Sequence, residues 1–169
     1  RRAPTWGRRG IPATTGTTTP GRGARRAQPP RREARDLHRR AQEAHKAGRI
    51  AEEMPLFLQA AEKGHAASMA VVGAAYYEGT GGFPKDHAQA VAWLRKAAAQ
   101  GHANAQNNLG VMHGNGEGGL AVDETEALAL YRKGAAQGYA PSQYNIGVAH
   151  VEGKCGLTAD PEQALAWFR

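Results

Sequence analysis

Histidine is the residue type in this sequence whose number suggests metal chemistry, since the chain has seven of them. His113 and His150 lie 37 residues apart, but neither has a His, a Cys or a carboxylate four residues along its predicted helix. Zinc in proteins requires three or four converging ligands. The glycine-rich loops also lack the Lys-Ser/Thr pair and the preceding strand of a phosphate-binding loop. We therefore predict no metal site and no cofactor.

The serine and cysteine side chains do not form a nucleophile constellation. Ser68 and Ser142 occupy the same position of a repeating pattern as Ala105, which indicates that a small residue is needed there for packing and not a hydroxyl for catalysis. Cys155 is the single cysteine, and Lys154 is the one neighbour that would lower the pKa of its thiol. We therefore predict no catalytic residue.

A repeat of 37 residues sets the positions of these side chains, and three independent markers reveal it. The markers are Gly64, Gly101 and Gly138, then Gly73, Gly110 and Gly147, and finally Asp86, Asp123 and Asp160. A fixed interval of this length indicates stacked structural units, none of which buries its apolar face alone.

Each unit is predicted to contain two helices. The second glycine marker falls inside the first helix, and since glycine there costs about 1 kcal/mol relative to alanine, its recurrence indicates a close helix crossing. The aspartate marker predicts the N-cap of the second helix, because Gln or Glu follows three residues later in the pattern of a capping box. That helix carries apolar residues at one-face spacing, as in Ala90, Trp93, Leu94, Ala97 and Ala98.

Loops and a shorter upstream pair complete the predicted organisation. Each loop carries one apolar residue that we expect to pin it to the core, and the loops are 79–85 with Phe83, 116–122 with Leu120, and 153–159 with Leu157. Upstream, residues 33–46 and 50–63 are predicted helices, and Pro55 is expected to delay or kink the second. The prediction is an all-α solenoid of antiparallel helix pairs, with units at about 33–64, 65–101, 102–138 and 139–169, the last one truncated.

The repeated motif resembles the Sel-one-like repeat, a relative of the tetratricopeptide repeat with a longer loop inside the unit. The resemblance covers roughly residues 50–169 and rests on segments such as Asn108-Leu109-Gly110, Asn145-Ile146-Gly147 and Gln100-Gly101-His102. It implies a right-handed superhelix of antiparallel helix pairs that acts as an adaptor or scaffold. Members described as penicillin-binding, with weak hydrolase activity, carry paired cysteines in every repeat, whereas this chain has one cysteine.

The concave side of such a superhelix is the predicted binding surface, because the first helix of each pair lines it. Asparagine side chains there can hydrogen-bond the backbone of an extended peptide. The candidate partner-binding residues lie at spacing i, i+4, i+7 and i+11 on two first helices: Asn104, Asn108, Val111 and Asn115 on one, and Pro141, Asn145, Val148 and Glu152 on the other. The alternative is that Asn108 and Asn145 bond internally, to the loop or to the next helix.

Residues 1–32 differ in composition from the rest of the chain. They contain nine Arg and no Asp or Glu, whereas residues 33–169 contain all fifteen acidic residues and thirteen Lys or Arg. The two parts therefore carry charges of +9 and −2, which sum to the net +7. Because it has few large apolar residues, the segment 1–32 is predicted to be a disordered tail. Three roles fit it: a solvated linker, an organelle-targeting presequence, or a segment that binds nucleic acid or an anionic surface.

These features predict a protein–protein interaction scaffold or adaptor that binds a protein or peptide partner, with no small-molecule substrate and no membrane span. Residue 1 is Arg and the last unit is incomplete, so we expect a fragment of a longer protein. One alternative is a targeting module of a larger enzyme whose catalytic domain lies outside this fragment; another is nucleic-acid binding through residues 1–32. A single cysteine fits a reducing compartment, so we expect the cytoplasm, or an organelle if the tail is a presequence.

Overall fold

The computed structural model describes residues 30–169, and this part of the chain folds into eight α-helices. The helices are α1 (Pro30–Lys46), α2 (Ile50–Glu62), α3 (Ala66–Glu78), α4 (His87–Ala99), α5 (Ala103–Asn115), α6 (Glu124–Ala135), α7 (Ala140–Glu152) and α8 (Pro161–Trp167). They pack in sequential pairs, and the first helix of each pair also packs on the second helix of the preceding pair. The predicted all-α architecture of stacked helix pairs is confirmed.

The first helix begins earlier than predicted. Helix α1 starts at Pro30 and not at residue 33, because proline suits the first helical position and the two arginines that follow it are good helix formers. Residues 30–32 therefore belong to a helix and not to the predicted tail. The disorder predicted for residues 1–29 lies outside the described residues. Helix α2 begins at Ile50, so Pro55 does not delay its start.

The glycines of the second marker lie where the two helices of a unit cross, as predicted. A Cβ atom added at Gly73 would lie 2.8 Å from the Cγ of Leu94, and one added at Gly110 would lie 2.7 Å from the Cε1 of Tyr131. The equivalent atom at Gly147 would overlap the ring of Phe168. A side chain larger than hydrogen would thus push the helices of each pair apart.

The aspartates of the third marker cap the second helices, as predicted. The Asp86 carboxylate accepts a hydrogen bond from the Gln89 N–H at 3.0 Å, and Asp123 and Asp160 repeat this bond in the next units. In a capping box the Gln or Glu side chain would in turn accept a hydrogen bond from the backbone N–H of the aspartate. Here a backbone carbonyl accepts that bond instead. The backbone N–H of each aspartate donates to a carbonyl in the last turn of the first helix, at 2.8–2.9 Å: Asp86 to Tyr76, Asp123 to His113, and Asp160 to His150. This bond satisfies a carbonyl that the helix end leaves free.

The loops between the paired helices are pinned to the core, as expected. Each first helix ends at a glycine in the left-handed conformation, for example Gly79 with φ 73°. The Phe83 ring then packs on the Tyr76 ring, with 4.6 Å between the ring centroids. Leu120 and Leu157 take the same role in the following loops. The loop conformation therefore closes each unit and holds its two helices in register.

Candidate functional site

Six of the eight predicted partner-binding residues line two clefts between successive first helices. The α3–α5 cleft has a volume of about 140 Å³ and is lined by Ala74, Tyr77, Glu78, Leu94, Asn108, Val111 and Met112. The α5–α7 cleft has a volume of about 250 Å³ and is lined by Gly114, Asn115, Glu124, Ala127, Tyr131, Asn145, Val148, Ala149, Glu152, Lys154 and Cys155. The structure thus places Asn108 and Val111 in the first cleft. It places Asn115, Asn145, Val148 and Glu152 together in the second. Asn104 and Pro141 line neither cleft.

The asparagine side chains take part in a network that joins one unit to the next. The Asn104 Nδ2 donates to the Tyr139 hydroxyl at 2.7 Å, and the Asn108 Nδ2 donates to the Asn104 Oδ1 at 3.3 Å. The Asn145 Nδ2 donates to the Asn107 Oδ1 at 2.9 Å. Both residues therefore bond internally, but not to the loop or to the next helix as the alternative had it: Asn108 bonds within α5 itself, and Asn145 of α7 bonds back to α5.

The network still leaves hydrogen-bonding groups that face the clefts. An asparagine amide has two donor hydrogens and an acceptor oxygen. Within residues 30–169 the Asn145 side chain makes a single hydrogen bond, the one to Asn107. Its carbonyl oxygen and one N–H therefore stay available beside Val148. The internal bond also holds the amide in one orientation, which lowers the entropy lost when a ligand binds.

Asn107 is the member of this network that sequence reasoning missed. Its side chain is buried, and its Oδ1 accepts hydrogen bonds from both the Ser142 hydroxyl, at 3.2 Å, and Asn145. The sequence signal was a polar residue on the first helix at the repeat position that Ala70 and Tyr144 occupy in the neighbouring units.

Charged groups border the α5–α7 cleft, and an aromatic side chain forms part of its lining. The Lys154 Nζ lies 2.8 Å from a Glu152 carboxylate oxygen, and this hydrogen bond raises the pKa of Lys154. The Glu124 carboxylate accepts a hydrogen bond from the backbone N–H of Cys155 at 2.9 Å. Burial, and to a smaller extent Cys155, raises the pKa of Tyr131 to about 12, so its hydroxyl stays protonated at neutral pH.

The α3–α5 cleft is held by a contact between two units. The Tyr77 ring stacks on the His87 ring at 4.8 Å between centroids. Burial, and next the neighbouring Glu117 carboxylate, raises the pKa of Tyr77. The His87 Nδ1 lies 3.8 Å from a Glu117 carboxylate oxygen. This cluster fixes the wall of the cleft on the Tyr77 side.

The side chains weighed for chemistry occupy structural positions. Ser68 and Ser142 are fully buried, which fits the predicted need for a small residue, and both hydroxyls have partners. The Ser68 Oγ lies 2.8 Å from the His38 Nδ1 and 3.1 Å from the His65 Nδ1. His65 and His102 are the N-caps of α3 and α5.

Cys155 is half-buried and adopts φ 59°, the one positive φ among the non-glycine residues that the structure describes. Burial, together with Glu124, raises the pKa of its thiol, so the thiolate form that attacks electrophiles is disfavoured at neutral pH. His113 and His150 are partly buried in the last turns of α5 and α7. Within residues 30–169 no three His, Cys, Asp or Glu side chains are grouped to hold a metal ion.

Comparison with known proteins finds one matching family model and 18 similar chains among solved structures, two of which are named below. The family model described as the Sel1 repeat matches residues 66–102, 103–139 and 140–169. A protective antigen present in uropathogenic Escherichia coli strains, which displays an SLR fold, has a TM-score of 0.70 and 36% sequence identity over 80% of this chain. A Sel1 repeat protein from Oxalobacter formigenes has a TM-score of 0.67 and 32% identity over 78% of this chain. The sequence matches none of the curated proteins with which it was compared.

The chain spans 29% of the length of the first of these structures and 51% of the second. None of the helices found in residues 30–169 has both the length and the apolar character needed to cross a membrane. The first helix pair, α1 and α2, lies before the three segments that the family model matches.

Proposed function

Because the chain belongs to the Sel1 repeat family, whose members generally mediate protein interactions and are not themselves catalytic, we propose that it is a protein-binding scaffold or adaptor. Its partner binds as an extended peptide segment along the α3–α5 and α5–α7 clefts. The observation that carries this proposal is that both clefts are lined in the same way. An asparagine, a valine and a polar residue recur 37 residues apart: Asn108, Val111 and Glu78 in the first cleft, and Asn145, Val148 and Asn115 in the second.

The chemistry of the clefts suits a peptide backbone. Asn145 offers an acceptor and a donor beside the apolar side chain of Val148, and such a pair can bind a peptide group and its neighbouring side chain. The charged pair of Glu152 and Lys154 is exposed at the rim, where ion pairs contribute little affinity. Binding is therefore expected to tolerate varied peptide sequences and to depend on the apolar and amide contacts.

Site-specific photo-crosslinking tests this proposal. Asn115 and Glu152 are exposed and line the α5–α7 cleft, so a photoreactive amino acid at either position should leave the fold unchanged and capture the partner in a cell extract. Arg132, exposed on the second helix α6, is the matched control position. We expect the same captured protein from both cleft positions and none from position 132. Capture from position 132 alone would contradict the proposal.

Two hypotheses from the sequence concern other parts of the protein. A catalytic domain outside the chain and nucleic-acid binding through residues 1–32 both depend mainly on segments that residues 30–169 do not include. They stay predictions. Deleting residues 1–29 separates them from the present proposal, because capture at positions 115 and 152 should survive that deletion.

A further inference from the structure

A third and larger cleft opens at the edge of the molecule where helices α1, α3 and α5 begin. Its volume is about 860 Å³, within the range of pockets that hold small ligands or short peptide segments. None of the partner-binding candidates on α5 and α7 lines it. We call it the basic cleft, and its polar lining residues are Arg31, Arg35, Lys63, His65, Gln100 and His102.

The basic cleft holds positive charge that no carboxylate in its lining balances. Arg31 and Arg35 are one helical turn apart on α1, and neither forms an ion pair within residues 30–169. Arg39, on the same helix, differs because it pairs with Asp36 and with Glu43. Lys63 lies 3.1 Å from a Glu33 carboxylate oxygen, but Glu33 does not line the cleft. Two guanidinium groups are thus left facing one cavity.

Two histidines beside the basic cleft have lowered pKa values, mainly because they are buried. The His38 and His65 rings lie 4.1 Å apart between centroids. Burial first, and then the charges of His38, Arg35 and His102, lowers the pKa of His65 to about 4. Burial and His102 lower the pKa of His38 as well. No carboxylate contributes to either shift, and Arg35 is the permanently charged group among the causes, so its guanidinium acts on His65 with no negative charge to balance it.

We propose that the basic cleft binds an acidic peptide segment whose carboxylates pair with Arg31 and Arg35. The guanidinium fork matches a carboxylate with two parallel hydrogen bonds, and residues one turn apart on a helix can hold two acidic side chains of an extended peptide. No Phe, Tyr or Trp lines the cleft. It therefore lacks the large aromatic rings on which bases usually stack in proteins that bind single-stranded nucleic acids. This surface is separate from the α3–α5 and α5–α7 clefts, so its test is independent of theirs.

Fluorescence anisotropy with the full chain tests the proposal. The probe is a labelled peptide of alternating glutamate and serine, and the matched probe has glutamine in place of glutamate. We expect the acidic probe to bind at least about tenfold more tightly than the glutamine probe, because only its carboxylates can pair with the two arginines. The measurement is made at low ionic strength, since salt screens such ion pairs. Arg31→Gln combined with Arg35→Gln should remove most of that difference. Arg40→Gln, on the same helix and outside the cleft, should leave it in place.

Three outcomes would overturn the proposal. Equal binding of the glutamate and glutamine probes, or no binding of either, would show that the cleft does not recognise carboxylates. An equal loss in the Arg40→Gln variant would assign the binding to the general charge of α1 and of the preceding residues. A labelled oligothymidine that binds more tightly than the acidic probe, and that loses affinity with Arg31 and Arg35, would make the cleft a nucleic-acid site. Circular dichroism melting of each variant shows whether the fold is retained.

Discussion

Histidine acts as the N-cap of two first helices, where Ser, Thr, Asp or Asn is the usual residue. The Nδ1 atom of His65 accepts the Ser68 N–H at 3.3 Å, and the Nδ1 atom of His102 accepts the Ala105 N–H at 3.4 Å. A cap of this kind requires the neutral ring, since a protonated imidazole has no acceptor. Burial keeps both rings neutral, because burial lowers the pKa of His65 and of His102.

Replacing His65 with Asn should reduce the loss of stability in mild acid. Asparagine is a good N-cap and does not titrate. The folded pKa of His65 is about 4, below the unfolded value of 6.5, so between these values the unfolded state binds a proton that the folded state does not. Stability should therefore fall as pH decreases from 6.5 towards 4. Urea midpoints at pH 7.5 and 5 measure the loss, which should be smaller for His65→Asn. An equal loss in the two proteins would contradict this account.

Two residue-level features that sequence reasoning did not predict depend on contacts across units. Asn107 bonds to Ser142, and Asn104 bonds to Tyr139, 35 residues away in each case. Neither bond has a local pattern, because the two partners belong to different helix pairs. The His65 cap was missed for another reason: histidine is uncommon at that position, and its acceptor role requires the neutral ring that burial favours.

Helices and their ends were the most predictable level of this molecule. The repeated Asp predicted the N-caps because a cap needs one side chain and an N–H two or three residues away. The reciprocal half of the capping box failed because a backbone carbonyl of the first helix accepts the aspartate N–H instead. That carbonyl is brought close by the loop, whose path the local sequence does not specify.

Two alanine substitutions in helix α5 should have opposite effects on stability. Gly110→Ala places a methyl group 2.7 Å from the Tyr131 ring and 3.2 Å from the Ala127 carbonyl oxygen, so overpacking is expected to cost about 1–3 kcal/mol. Gly114→Ala is the matched control, since its methyl group would lie 3.8 Å from the nearest atom. It should stabilise the helix by up to about 1 kcal/mol. Chemical denaturation measures both values. Similar effects of the two substitutions would contradict the close crossing.

At the scale of the whole molecule, each loop contacts the preceding unit. An added Cβ at Gly81 would lie 2.5 Å from the Met54 Cγ, and one at Gly118 would lie 2.5 Å from the His87 carbonyl oxygen. In the last unit the backbone N–H of Cys155 donates to Glu124. Positions 81, 118 and 155 are equivalent in the repeat, and each of them contacts the preceding unit. A repeated contact of this kind couples neighbouring units, so the clefts between first helices keep a fixed spacing for a ligand.

Hydrogen–deuterium exchange of the complex with the crosslink-identified partner is the most direct test of binding along the first helices. If the partner lies in the two clefts, amides of residues 103–115 and 140–152 should become more protected than in the free protein. The second helices, residues 87–99 and 124–135, should gain less protection, since they contribute only Leu94 to one cleft and Glu124, Ala127 and Tyr131 to the other. Protection confined to the second helices, or spread evenly over both sets, would contradict the account.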